Sequence, residues 1–125
     1  MITLSVALGG AVGATLRHFV GIFIVSVFHV ASLWGTFTVN VVGCIVTGCL
    51  LGLAVHAWSP SESMRAFVFV GVMGGFTTFS AFSADTVLLI ERGAWGTAAA
   101  YVLGSVLLSI AGFLVALRLM RIILT

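Results

Sequence analysis

Charged side chains are scarce in this chain, and lysine is absent. Its 125 residues include five arginines and three acids, so only 6% are charged and 62% are hydrophobic. A typical soluble domain is about 25% charged. A soluble fold of this length could not cover its surface with so few charges, and a net charge of +2 is too small to indicate nucleic-acid binding. The composition excludes an ordinary soluble enzyme and a disordered or fibrous chain, and it indicates an integral membrane protein.

Proline and cysteine are nearly absent as well. The single proline, Pro60, lies in a short polar loop, and the two cysteines, Cys44 and Cys49, are five residues apart on different faces of a helix. We interpret the cysteines as small packing residues rather than as a disulfide or metal ligands. An enzyme is not expected, because three histidines lie far apart with no acid or nucleophile at a useful spacing: His18, His29 and His56.

Four apolar segments are long enough to cross a bilayer, for which about 20 residues suffice. They cover residues 2–28, 33–57, 64–90 and 97–119 and fill a single domain, 1–125. The three tryptophans lie near the predicted span ends, as aromatic residues do at membrane interfaces. We therefore predict an all-α membrane protein of four transmembrane helices. Four helices are too few to enclose a polar pathway and also pack together, so transport would require an oligomer.

The charges that orient a membrane protein are almost balanced. With four spans, Arg65, Arg118 and Arg121 lie on one side of the bilayer and Arg92 on the other. Such a weak bias is compatible with insertion in both orientations.

Glycine, by contrast, is abundant, with 15 residues. Three pairs have the four-residue spacing that brings both members to one helix face: Gly9 and Gly13, Gly48 and Gly52, and Gly71 and Gly75. In lipid, such pairs allow helix backbones to approach closely, and we interpret them as packing positions.

Polar residues within the apolar spans form two stripes. One face of the second span carries Thr36, Asn40, Gly43 and Thr47. One face of the fourth span carries Tyr101, Ser105 and Ser109. A polar side chain in hydrocarbon is costly and faces a partner or a cavity. Interhelical hydrogen bonds would also explain these stripes, and a serine can bond to its own helix backbone.

The third span contains a sequence that disfavours a continuous helix. Residues 74–78 are Gly-Gly-Phe-Thr-Thr, which combines two glycines with two β-branched residues. A break here would free backbone groups in the membrane, which is tolerated where they line a cavity or bind an ion. Beyond it, Phe79 and Phe82 are three residues apart, as are Ser80 and Ser83, so each pair lies close together on a helix face. A glycine kink packed with aromatic rings is the alternative.

These segments together offer hydrogen-bond donors and no central acid. The donors are an amide, several hydroxyls, freed backbone N–H groups and aromatic ring edges, which carry partial positive charge. A narrow path with this lining favours an anion over a metal cation or a large cation.

Three segments resemble the CrcB/Fluc family of fluoride channels. They are residues 9–17 (Gly-Gly-Ala-Val-Gly-Ala-Thr-Leu-Arg), residues 35–48, which begin Gly-Thr-Phe-Thr-Val-Asn-Val-Val-Gly, and residues 74–82 (Gly-Gly-Phe-Thr-Thr-Phe-Ser-Ala-Phe). The resemblance covers essentially the whole chain, and its third segment is highly specific. Two departures are His18, where an aromatic residue is common, and Ala81, where a hydroxyl residue is common.

The resemblance implies a fluoride-selective channel of a bacterial-type plasma (inner) membrane, which exports fluoride passively and lowers its cytoplasmic concentration. It implies an antiparallel, dual-topology homodimer with two pores and a third helix broken near its middle. It also implies a structural sodium ion at the dimer centre, held by the backbone carbonyls of Gly74 and Thr77. Fluoride would contact Asn40, Phe79 and Phe82, and Arg17 would lie near an aqueous vestibule. A polar track would comprise Ser80, Ser83, Tyr101, Ser105 and Ser109.

Two other functions stay open. A small dual-topology multidrug/proton antiporter has a similar length and four spans, but it requires a glutamate in the first span, where this chain has Arg17 instead. A non-conducting membrane assembly subunit would use the polar stripes only to hold helices together.

Overall fold

The computed structural model describes all 125 residues and consists of helices joined by short connections. We number the helices α1 (Ile2–Phe28), α2 (Ser32–His56), α3 (residues 62–76), α4 (Phe79–Glu91) and α5 (Trp95–Leu124). The helices α3 and α4 together form the third span, Glu62–Glu91. Four stretches are long and apolar enough to cross a membrane, which confirms the prediction of an all-α protein with four spans. The last helix continues to Leu124, past the predicted end at residue 119.

The third span contains a π-helical stretch and, after it, a break in the helix. Its first turn, Glu62–Arg65, is α-helical, Ala66–Met73 is π-helical, and Gly74–Phe76 returns to α-helix. Thr77 (φ −82°, ψ 158°) and Thr78 (φ −149°, ψ 112°) are then extended, and α4 starts at Phe79. The helix is therefore broken at the two threonines that the sequence indicates, because β-branched residues after two glycines favour extended backbone.

Glycines bring α1 into contact with α3. A methyl group added to Gly9 would overlap the carbonyl oxygen of Phe67 and would lie 3.0 Å from the Cα atom of Gly71. A methyl group at Gly13 would overlap the carbonyl oxygen of Val72. The backbones approach closely without side chains between them, as the four-residue spacing predicts.

The same kind of contact joins α2 to α5. A methyl group at Gly48 would overlap the carbonyl oxygen of Phe113, and one at Gly52 would lie 2.5 Å from the Cβ atom of Met120. These two glycine-mediated interfaces hold the four spans around the broken segment.

Only 15 of the 125 residues are buried, and many large apolar side chains face outward, as expected where lipid replaces water.

Candidate ion-binding site

The side chain of Asn40 on α2 stabilises the break in the third span. Its Nδ2 atom donates to the carbonyl oxygen of Thr78 at 3.0 Å, and its Oδ1 atom accepts from the N–H of Thr78 at 2.7 Å. One amide thus satisfies both backbone groups of a residue that has left the helix, where water is scarce. An asparagine amide has two N–H donors, so the second N–H of Asn40 is available to another acceptor.

A glycine allows this contact to form. Gly43 is one turn from Asn40 on the same face of α2, and a methyl group there would overlap the Thr77 methyl group. Because Gly43 has no side chain, the broken segment packs directly against α2. Thr47, the last polar residue of the α2 stripe, donates its hydroxyl to the Gly43 carbonyl oxygen at 2.7 Å and so bonds to its own helix.

A cavity of about 310 Å³ lies beside the break, and we call it the inner cavity. Five of the eight predicted pore residues line it: Asn40, Phe79, Phe82, Ser105 and Ser109. The other lining residues are Cys44, Thr77, Thr78, Val106 and Ile110. The lining contains an amide, hydroxyls and aromatic rings, and no acid.

One donor of the inner cavity has no partner within the chain. Ser105 is 5% exposed, and its Oγ atom makes no hydrogen bond. A serine in a transmembrane helix usually bonds to a carbonyl of its own helix, as Ser26 does with Ile22 at 2.8 Å. A buried hydroxyl without a partner costs free energy, so Ser105 has an unused donor at the wall of the cavity.

Three aromatic rings form a row in which Phe79 and Phe82 line this cavity and Tyr101 lies beyond Phe82. The ring centroids of Phe79 and Phe82 are 5.4 Å apart, and those of Phe82 and Tyr101 are 5.5 Å apart. Ring edges carry partial positive charge, and a row of rings can therefore present a weakly positive surface to an anion. Phe79 is 78% exposed in the single chain, so its ring extends beyond the cavity to the surface of the molecule.

The remaining three predicted pore residues do not line the inner cavity. The Ser80 hydroxyl lies 3.2 Å from the Thr78 hydroxyl, and the Ser83 hydroxyl donates to the Phe79 carbonyl oxygen of its own helix at 2.9 Å. The Tyr101 hydroxyl donates to a carboxylate oxygen of Asp85 at 3.3 Å. Ser80 and Tyr101 are thus at the border of the cavity, whereas the Ser83 hydroxyl is already bonded to α4.

A second cavity, of about 550 Å³, lies between α1 and α2, and we call it the outer cavity. The structure places Arg17 in its lining, and no acid is present there. The full lining is Ala14, Arg17, His18, Gly21, Ile22, Val25, Ser26, Ser32, Gly35, Thr36, Val39, Thr78 and Ala81. Thr78 lines both cavities, so the broken segment forms part of the wall of each.

A metal ion at this site would need main-chain ligands. The chain has no group of three or more His, Cys, Asp or Glu side chains that could hold a metal. The last carbonyls of a helix have no partner within it, and α3 ends at the break. Thr77 turns its hydroxyl back to the Met73 carbonyl oxygen at 3.0 Å, and Gly74 has no side chain over its exposed backbone. Carbonyl oxygens suit a hard cation, so the backbone at Gly74 and Thr77 is compatible with the sodium ligands that the family resemblance implies.

The central position of Thr78 was not predicted from the sequence. Its backbone binds Asn40, and its hydroxyl accepts from the N–H of Ala81 at 3.2 Å, which caps α4. A threonine just before a helix start is a capping signal, and this signal was present in the sequence. The pair of Asp85 and Tyr101 was also missed, and no local pattern could have revealed it, because its members lie on different helices.

The fold and the cavities define a class of protein. It is a small multi-pass membrane protein with an acid-free, donor-lined site where a membrane helix is broken. Such a site suits a small anion. Comparison with known proteins agrees with this class. The chain matches the family described as CrcB-like protein, Camphor Resistance (CrcB), over residues 4–117, and it belongs to this family.

Several bacterial relatives are similar over nearly their full length. The chain is 51% identical to a fluoride-specific ion channel FluC of Rhodospirillum centenum over 118 residues, which covers 94% of each chain. It is 46% identical to a protein of the same name from Rhodopseudomonas palustris, over 98% of this chain and 99% of the relative. A third, also named FluC, from Nitrobacter winogradskyi, is 43% identical over 96% of this chain and 95% of the relative.

Proposed function

We propose that the protein is a fluoride-selective channel of the bacterial inner membrane, through which fluoride leaves the cytoplasm passively. The names of its relatives support fluoride as the permeant ion. The observation that carries the proposal is the lining of the inner cavity. It unites the Asn40 amide, the unpartnered Ser105 hydroxyl and the rings of Phe79 and Phe82, with no acid among them. On this proposal the protein conducts an ion and is not an enzyme.

The order of the cavities suggests how fluoride would pass. Arg17 attracts the anion into the outer cavity, because a cation in a cleft raises the local concentration of anions. Thr78 lines both cavities, and the donors of the inner cavity would then replace the water that a small anion must lose. Selectivity over chloride follows from the number and spacing of close donors in a narrow space.

We propose further that the channel is an antiparallel homodimer with two pores. The exposure of Phe79 supports a second copy of the chain. Its ring lines the inner cavity but is 78% exposed, and a partner subunit would cover it there. A sodium ion bound by the Gly74 and Thr77 carbonyls of both subunits would neutralise the dipoles of the two helix breaks. The weak charge bias of the loops supports insertion in both orientations.

The direct test is anion efflux from liposomes that contain the purified protein. Vesicles are loaded with potassium fluoride or potassium chloride, and valinomycin is added so that potassium can follow the anion. We expect rapid fluoride efflux and chloride efflux near that of protein-free vesicles. Equal efflux of both anions would refute selectivity, and no efflux of either would favour a non-conducting assembly subunit.

The antiporter alternative makes a different prediction. It requires proton-coupled movement of a cationic drug, and neither cavity contains an acid in its lining. The nearest candidate is Asp85, which accepts a hydrogen bond from Tyr101. A drug-driven proton flux that Asp85→Asn abolishes would support the antiporter.

A further inference from the structure

His18 shares the outer cavity with Arg17. Both residues lie on α1 and line the cavity together with the hydroxyl-bearing residues Ser26, Ser32 and Thr36. His18 is exposed, and its ring lies near that of Phe19, with centroids 5.9 Å apart and planes tilted by 56°. His18 therefore lines the cavity and is not enclosed by the protein core.

Few ionisable groups surround His18 in the outer cavity. On α1, Arg17 is the other ionisable residue of the cavity. The part of α2 that faces the cavity, from Ser32 to Val39, contributes no ionisable group, and neither do Thr78 and Ala81. The nearest acid along α4 is Asp85, one turn past Ala81, and it is bonded to Tyr101. A protonated His18 therefore has no acid in the cavity to pair with.

We propose that protonated His18 is a second cationic residue of the outer cavity, and that it makes fluoride flux depend on pH. This inference rests on the proposed function, because it assigns His18 a role in attracting the permeant anion. An imidazole gains a positive charge as the pH falls, whereas an arginine stays charged. Arg17 supplies a constant attraction, and His18 adds a variable one.

The direction of the effect follows from linkage. A second positive charge favours an anion in the cavity, and an anion in the cavity favours protonation of His18 by the same factor. The added attraction is greatest at acid pH, where the imidazole is charged, and is lost as the pH rises and the imidazole becomes neutral. Charges about 10 Å apart change occupancy by about two- to tenfold, depending on how strongly the surrounding water screens them. We expect a rise of this size in flux between pH 8 and pH 5.5 at subsaturating fluoride.

The test is a pH profile of fluoride efflux from proteoliposomes, with equal pH on both sides of the membrane. Wild type is compared with His18→Gln, which is always neutral, and with His18→Arg, which is always charged. The matched control is His29→Asn. His29 lies outside both cavities and has a left-handed backbone (φ 52°), a conformation that asparagine tolerates. Protein-free vesicles at each pH measure leakage of neutral hydrogen fluoride, which is subtracted.

We expect His18→Gln to show low flux with no pH dependence and His18→Arg to show high flux with no pH dependence. His29→Asn should follow the wild-type profile, and high salt should flatten that profile because screening weakens the attraction. The inference is overturned if wild type is flat or if His18→Gln keeps the wild-type slope. Absence of fluoride flux in every variant at every pH would instead refute the proposed channel function.

Discussion

At the scale of single residues, Asn40 shows how one side chain can serve both structure and ion binding. Two of its hydrogen-bonding positions hold the backbone of Thr78, and one N–H is left for the inner cavity. The sequence indicated that Asn40 was either an anion ligand or a contact between helices. The geometry is compatible with both functions at once, because an amide has more than one donor.

We predict that Asn40→Asp lowers fluoride flux by at least about tenfold, because an ionised aspartate has no donor and repels an anion. Asn40→Ala should also lower the free energy of unfolding by about 1–3 kcal/mol, since the Thr78 backbone groups lose their partner. The measurements are efflux from liposomes and thermal unfolding in detergent. Thr47→Ala is the control, because the Thr47 hydroxyl bonds to its own helix and should be dispensable. Normal flux in Asn40→Asp would leave Asn40 only a structural role.

The aromatic row leads to a second prediction. Phe79→Ile and Phe82→Ile keep apolar bulk but remove the positive ring edge, and each should lower fluoride flux by at least about tenfold. Phe23→Ile is the control, since Phe23 is 57% exposed and lines neither cavity. Efflux and unfolding are measured for all three variants. If both pore variants conduct like wild type, the row is only a packing arrangement.

At the scale of helices, most of the fold could be predicted from the sequence. Apolar runs and tryptophans located the four spans, and the Gly-Gly-Phe-Thr-Thr segment located the break. The π-helical Ala66–Met73 could not be predicted, because all its residues are apolar or glycine and the hydrogen-bond register leaves no trace in such a run. The pairing of Asn40 with Thr78 was hidden for a related reason: the partners are 38 residues apart and meet only when the helices pack.

Neighbouring glycines on α1 provide a matched test of helix packing. Gly9→Ala should lower the free energy of unfolding by about 1–3 kcal/mol, because its methyl group overlaps the backbone of α3. Gly10→Ala should be close to neutral, because nothing lies within 4 Å of the added methyl group. Thermal unfolding in detergent compares the two variants. Equal stabilities would contradict the close contact between α1 and α3.

At the scale of the whole molecule, the single chain leaves part of its candidate site uncovered. Phe79 is 78% exposed although it lines the inner cavity, and Gly74 presents bare backbone at the end of α3. The sequence indicated that four helices are too few to enclose a polar pathway without an oligomer. It could not give the arrangement of the subunits, because the contacts between two copies have no local sequence pattern.

Removal of sodium tests the proposed assembly. Replacing sodium by a large organic cation should shift the protein toward monomer or lower fluoride flux, because carbonyl dipoles at the two breaks would then repel each other. Subunit exchange between differently labelled proteins in detergent measures the dimer. Thr77→Ser is the control, and it should respond to sodium like wild type because only the Thr77 carbonyl is used. Identical exchange and flux with and without sodium would contradict a structural sodium ion.

The measurement that tests the central claim most directly is the reversal potential of the reconstituted protein in a planar bilayer. Potassium fluoride is placed on one side and potassium chloride on the other. A passive fluoride-selective channel carries current without a proton gradient, and its current reverses at a large potential whose sign shows that fluoride carries the charge. A reversal potential near zero would mean that the protein does not distinguish the two anions. Potassium is equal on both sides, so a current carried by potassium would also reverse near zero, and that result, like no current at all, would contradict the account.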